Sequence, residues 1–99
     1  MPSFRVTMTI GSLTAGTAPQ SVVPAAAAAV RELTTVEASD LAIVSGAPRV
    51  TVRFTGEDDT VHRIAQHAVD RTRKLAQVIS WRLTRRDGGR WLVVVPRAD

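Results

Sequence analysis

Two segments of this chain alternate apolar and polar residues without a break: FRVTMTI at 4–10 and RVTVRFT at 49–55. Successive side chains of an extended strand point to opposite faces. Phe4, Val6, Met8 and Ile10 therefore share one face, with Arg5, Thr7 and Thr9 on the other. In the second segment Val50, Val52 and Phe54 oppose Thr51, Arg53 and Thr55. Strands of this kind fit an antiparallel sheet covered on one side and open on the other. The cover has to come from the segments between and after them.

Two such segments read as helices. Ser21 can cap a helix through VVPAAAAAVREL, with Pro24 tolerated in its first turn. Its alanines make it slim enough to lie close to a sheet. GEDD at 56–59 breaks the second strand and starts another helix, with Asp58 or Asp59 as the cap. That helix, VHRIAQHAVDRTRKLAQ, spans 61–77. Its apolar face carries Val61, Ile64, Ala65, Ala68, Thr72, Leu75 and Ala76, a spacing of period 3.6.

The remaining segments read as strands and turns. TVEASDLAIVS gives a strand interrupted near Ser39–Asp40, and SGAP at 45–48 a turn. GSLTAGTAPQ, between the first strand and the first helix, reads as a loop. In VISWRLTRRDGGRWLVVVP, Ile79, Trp81 and Leu83 alternate inward, Asp87-Gly88-Gly89 turns, and WLVVV returns. The chain is thus expected to be one α+β domain over residues 1–99. Its order is that of a ferredoxin-like β-α-β-β-α-β sandwich with an additional C-terminal strand. Two helices cover one face of an antiparallel sheet. The open face is expected to carry Arg5, Thr7, Thr51, Arg53, Arg82 and Thr84.

Composition narrows the chemistry. There is no cysteine, which excludes disulfides, thiol catalysis and Cys-type metal sites. The two histidines, His62 and His67, are five apart on a helix and make a poor metal pair. Ser21, Ser39, Ser45 and Ser80 lack a nucleophile elbow, tyrosine is absent, and GSLTAGT has no lysine at P-loop spacing. No catalytic residue, cofactor or metal is expected, and the chain is read as a non-enzyme. The N-terminus alternates and does not resemble a secretory leader, and VVPAAAAAV is far too short to span a bilayer. A cytoplasmic location without membrane contact follows as the expectation.

The formal charge of +4 is unevenly placed. Residues 1–60 carry four arginines against six acids; residues 61–90 carry eight basic residues against Asp70 and Asp87. Arg71, Arg73, Lys74, Arg82, Arg85, Arg86 and Arg90, with Trp91 for stacking, form the candidate nucleic-acid surface. Arg5, Arg53 and Arg82 on the open face can also take phosphates. No aromatic falls on the outward phase of the first or third strand, which argues against an RNA-recognition module that stacks bases there. Trp81 lies on the inward phase.

The stretch PRVTVRFTGEDDTVHRIAQHAVDRTRKLAQVISWRL, residues 48–84, resembles the second half of an ACT domain. The matching parts are the strand Val50–Phe54, the acidic turn Gly56–Asp59, the helix Val61–Gln77 and the strand Val78–Leu83. The resemblance implies a non-catalytic regulatory module that pairs through its sheet or helices. It also implies a small-ligand site between the first strand and helix, where Gly11, Leu13 and Gly16 match loosely. The leading expectation is a homodimeric module that binds a protein partner or a small ligand. A basic nucleic-acid-binding accessory protein is the alternative.

Overall fold

The computed structural model describes residues 1–94. The chain forms β1 (Ser3–Leu13), a 3₁₀ turn (Pro19–Ser21), α1 (Val22–Arg31), β2 (Val36–Val44), β3 (Ala47–Thr55), α2 (Val61–Arg73), β4 (Ala76–Asp87) and β5 (Arg90–Val93). It is an α+β fold with one five-stranded sheet in the order β2-β3-β1-β4-β5, and every neighbouring pair is antiparallel. The last residue of the expected return strand, Val95, lies outside the described residues.

The alternation of β1 and β3 places the core. Phe4, Val6, Met8, Val50, Val52 and Phe54 are at most 1% exposed. Paired residues of antiparallel strands share a face, and Phe4 pairs with Phe54, Val6 with Val52 and Met8 with Val50. Val22, Ala26 and Val30 of α1 and Val61, Ile64, Ala65, Ala68 and Val69 of α2 close over that face in a single cluster. Thr72, on the same stripe of α2, is fully buried; its hydroxyl donates to the Ala68 carbonyl at 2.8 Å and so is not left unpaired. Gly56 permits the close approach of α2 to β3, since a Cβ there would fall 2.6 Å from Val61 Cγ1.

Several local expectations are corrected. β1 runs on through Gly11 and Leu13, where a loop was expected, because Leu13 still pairs with Ala76 of β4. α2 ends at Arg73, four residues early, and Ala76 and Val78 are buried as strand residues of β4. Neither Asp58 nor Asp59 caps α2. Thr60 takes that place, and Asp58 instead accepts from Arg85 at 3.2 Å. Ser21 sits at the cap position of α1, but its hydroxyl donates to the Ala18 carbonyl. β2 is continuous through Ser39–Asp40, and its irregularity falls between Val36 and Ala38.

The largest correction is in β4. Ile10 pairs with Val78 and Thr9 with Ser80, so Ile79 is an extra residue, a β-bulge. Ile79 is therefore 60% exposed and not inward. Beyond the bulge the expected phase holds: Leu83 is buried, and Trp81 is partly buried and packed on the core.

On the outer side of the helix layer, Glu32 at the end of α1 clips α2. Its carboxylate accepts from His67 Nε2 at 2.9 Å and from both terminal guanidinium nitrogens of Arg71 at 3.1 Å. The His67 contact first, then Arg71, hold its carboxyl below the usual value of 4.5. A depressed folded pKa stabilises the fold above the unfolded value and ceases to do so as pH falls through the folded one. Stability in urea is therefore expected to decline below pH 4.5. Glu32→Gln should flatten that acid limb, modestly because the pair is exposed to solvent. An unchanged limb would show that the clip adds nothing.

Candidate functional site

The face of the sheet away from the helices is where the polar phase of each strand converges. Arg5 of β1 is directly paired with Arg53 of β3 and with Thr84 of β4. One step along, Thr7 is paired with Thr51 and Arg82, and Thr51 with Asp40 of β2. A further step pairs Thr9 with Arg49, and Arg49 with Ala42. The rows enclose a shallow depression of about 340 Å³, lined by Arg5, Arg49, Arg53, Arg82, Thr7 and Thr51, with Asp40 at the β2 side.

The electrostatics of this face are unbalanced. Like charges directly opposite one another across two strands destabilise a sheet, yet Arg5 and Arg53 occupy such a pair. Glu37 and Trp91 partly relieve them. Arg53 Nε donates to Glu37 Oε1 at 3.2 Å, and Ser3 Oγ donates to the same oxygen at 2.6 Å. The Ser3 hydrogen bond first, then the nearby Arg53 charge, lower the Glu37 pKa. The Arg5 guanidinium lies 3.9 Å from the centre of the Trp91 ring, with Arg53 at 5.4 Å, both within cation–π range. Arg49 Nε is buried and has no hydrogen-bond partner. Among the described residues neither Arg49 nor Arg82 forms a salt bridge.

Trp91 stands on the open face, in phase with Arg86. Gly88, with φ 60°, turns the chain, and Arg86 pairs with Trp91. The indole is half-buried over the arginines of β1 and β3.

The sequence-predicted basic residues do not form one surface. Arg71 is engaged by Glu32 and Arg73 lies 3.9 Å from Asp70, both on α2, and Lys74 follows them; this is the helix layer, behind the sheet. Arg85 falls on the inward phase opposite Phe4 and pairs with Asp58. Arg86 donates through Nε to the Gly88 carbonyl, and Arg90 pairs with Asp87 beside the turn. Of that set, Arg82, Arg86 and Trp91 share the open face. Arg49 was missed, although it stands in phase with Thr51 and Arg53, which alone could have found it.

Of the small-ligand residues, Gly11 and Leu13 belong to β1, and Gly16 lies in the following turn with φ 85°. The space at Gly11 is filled by the Gln77 and Ile79 side chains. His67 is held by Glu32, and His62 Nε2 is buried without a partner. Among the described residues no three His, Cys, Asp or Glu side chains gather as a metal set, and no helix is long and apolar enough to cross a membrane.

Compared with known proteins, the chain matches no family model, no curated protein and no solved structure.

Proposed function

We propose that this is a non-catalytic binding module whose open sheet face takes single-stranded nucleic acid. The observation that carries the reading is the directly opposed Arg5–Arg53 pair, with Arg49 and Arg82 beside it around one shallow depression. A sheet tolerates such a pair more readily when an anion lies across it, and successive phosphates of a strand are a fitting anion for so open a surface. Trp91 adds one aromatic beside the arginines, suited to an unstacked base if Arg5 moves aside for it. On this reading the fold is a ferredoxin-like sandwich: the order β2-β3-β1-β4 under two helices supports it, with β5 as an addition beside β4. The ACT-like reading draws support from the element order alone, since Gly11 and Leu13 are strand residues.

The test is fluorescence anisotropy with a labelled single-stranded oligonucleotide between about 50 and 300 mM salt, the range in which released counterions show as a steep slope. Binding that weakens steeply with salt is the expected result. No binding at the lowest salt would overturn the proposal.

A further inference from the structure

Among the described residues the sheet has two open edges, and they are built differently. β5 is four residues long and begins with Arg90. A short, charged edge resists pairing with another chain. β2 forms the other edge and runs nine residues, VEASDLAIV, without Lys, Arg or Pro. Leu41 and Ile43 on it are 56% and 66% exposed. Leu41 is paired with the buried Val50, so its side chain stands on the helix side of the sheet, beyond the reach of the helices.

The turn decides which backbone groups are free. Val44 and Ala47 pair across the two-residue turn Ser45–Gly46, whose φ values of 51° and 82° are those of a tight hairpin. The residues flanking such a turn exchange backbone hydrogen bonds, and the pattern alternates from there. Register is unbroken from Val44 to Ala38. Ala42, Asp40 and Ala38 therefore bond to β3, while the N–H and C=O groups of Ile43, Leu41 and Ser39 point away from the sheet.

From this edge we infer that β2 pairs antiparallel with β2 of a second copy of this chain, about a two-fold axis at Leu41, joining two sheets into one of ten strands. The pairing sets Leu41 against the partner's Leu41 and Ser39 against the partner's Ile43, covering the exposed apolar groups. On the opposite face it sets Asp40 against the partner's Ala42. Ala42 is itself paired with Arg49. Asp40 and the partner's Arg49 then flank one small side chain, which sets a carboxylate beside an arginine that forms no salt bridge within its own chain among the described residues. Symmetry supplies this charge match twice. A register centred on Asp40 would oppose two like charges, and one centred on Ala42 would carry Asp40 out of the Arg49 row. The charge match is what selects a second copy over an unrelated strand. A two-fold axis normal to the sheet keeps both arginine depressions on the same side of the joined sheet.

The dimer does not rest on the nucleic-acid reading, and it is tested without nucleic acid. Sedimentation velocity of the intact chain is expected to give a dimer, and Leu41→Lys a folded monomer by circular dichroism. The chain holds no cysteine, so single cysteines report register cleanly. Paired Cα atoms at the two-fold lie roughly 5.5 Å apart, within the span a disulfide bridges. Leu41→Cys is therefore expected to cross-link into covalent dimer on mild oxidation. In Ile43→Cys the two thiols are four residues out of step, about 13 Å along the strands, and should not cross-link. A monomer at the highest soluble concentration would overturn the inference. So would a dimer that survives Leu41→Lys, or cross-linking that is equal at both positions.

Discussion

Replacing Arg49 and Arg82 together by alanine is expected to lower affinity for a single-stranded oligonucleotide about a hundredfold at low salt. Each charged hydrogen bond to a phosphate is worth about tenfold. The salt slope should fall as well, by about 0.7 for each phosphate left unneutralised on a single strand, so by about 1.4 for the pair. Neither residue forms a salt bridge within its own chain among the described residues, so their removal leaves no carboxylate of that chain unpaired. Arg71→Ala with Arg73→Ala removes the same charge from the helix layer and is expected to leave the slope unchanged. That contrast separates a defined surface from general attraction between a basic protein and a polyanion. Equal weakening in both double variants, measured by anisotropy across a salt series, would sink the open face as the site.

Phe54→Ala is expected to be the most damaging single truncation for stability. Phe54 is fully buried, and its ring lies 6.0 Å from that of Phe4 at an angle of 22°. The space is bounded by the backbone at Gly56 and by Val61, which hold α2 against β3. Such a site collapses poorly when emptied. Truncating a buried phenylalanine costs about 3–5 kcal/mol, a large share of the roughly 5–15 kcal/mol available to a domain. A fall in Tm of roughly 15 °C or more follows for a chain of this length. Thermal melts followed by circular dichroism check this, with Phe54→Leu expected in between. A shift under about 5 °C would mean that the ring is not the keystone of the core.

Much of the fold was legible because period-two alternation is a direct image of a half-covered sheet. The open-face set Arg5, Thr7, Thr51, Arg53, Arg82 and Thr84 follows from strand phase alone, and all six stand in the observed cross-strand rows. Phase fails where one extra residue enters. The bulge at Ile79 turns a strong apolar side chain outward, and nothing local to VISW announces it, because the bulge is a property of the pairing with β1. The end of α2 was misplaced for a related reason: Ala76 and Val78 suit a helix stripe and a buried strand equally well. The candidate site was half legible. A count of basic residues along the chain grouped Arg71, Arg73 and Lys74 with Arg82, but the sheet stands between them. Trp91 over Arg5 joins residues from the two ends of the described chain, a contact that no spacing within one segment encodes.

The place of β1 has a consequence for how the chain comes off the ribosome. It is the earliest strand and the middle one, flanked by β3 and β4. Phe4 pairs with Phe54 on one side and with Arg85 on the other. Its second flank stays bare until β4, which follows both helices and the β2–β3 hairpin, has been synthesised. Such long-range closure slows folding, because loop entropy is given up before the contacts that offset it form. In the interval the β2–β3 hairpin, closed by its own tight turn, is the sheet's self-sufficient fragment. A nascent chain halted before β4 would thus display one unpaired edge of its central strand to any chaperone in reach.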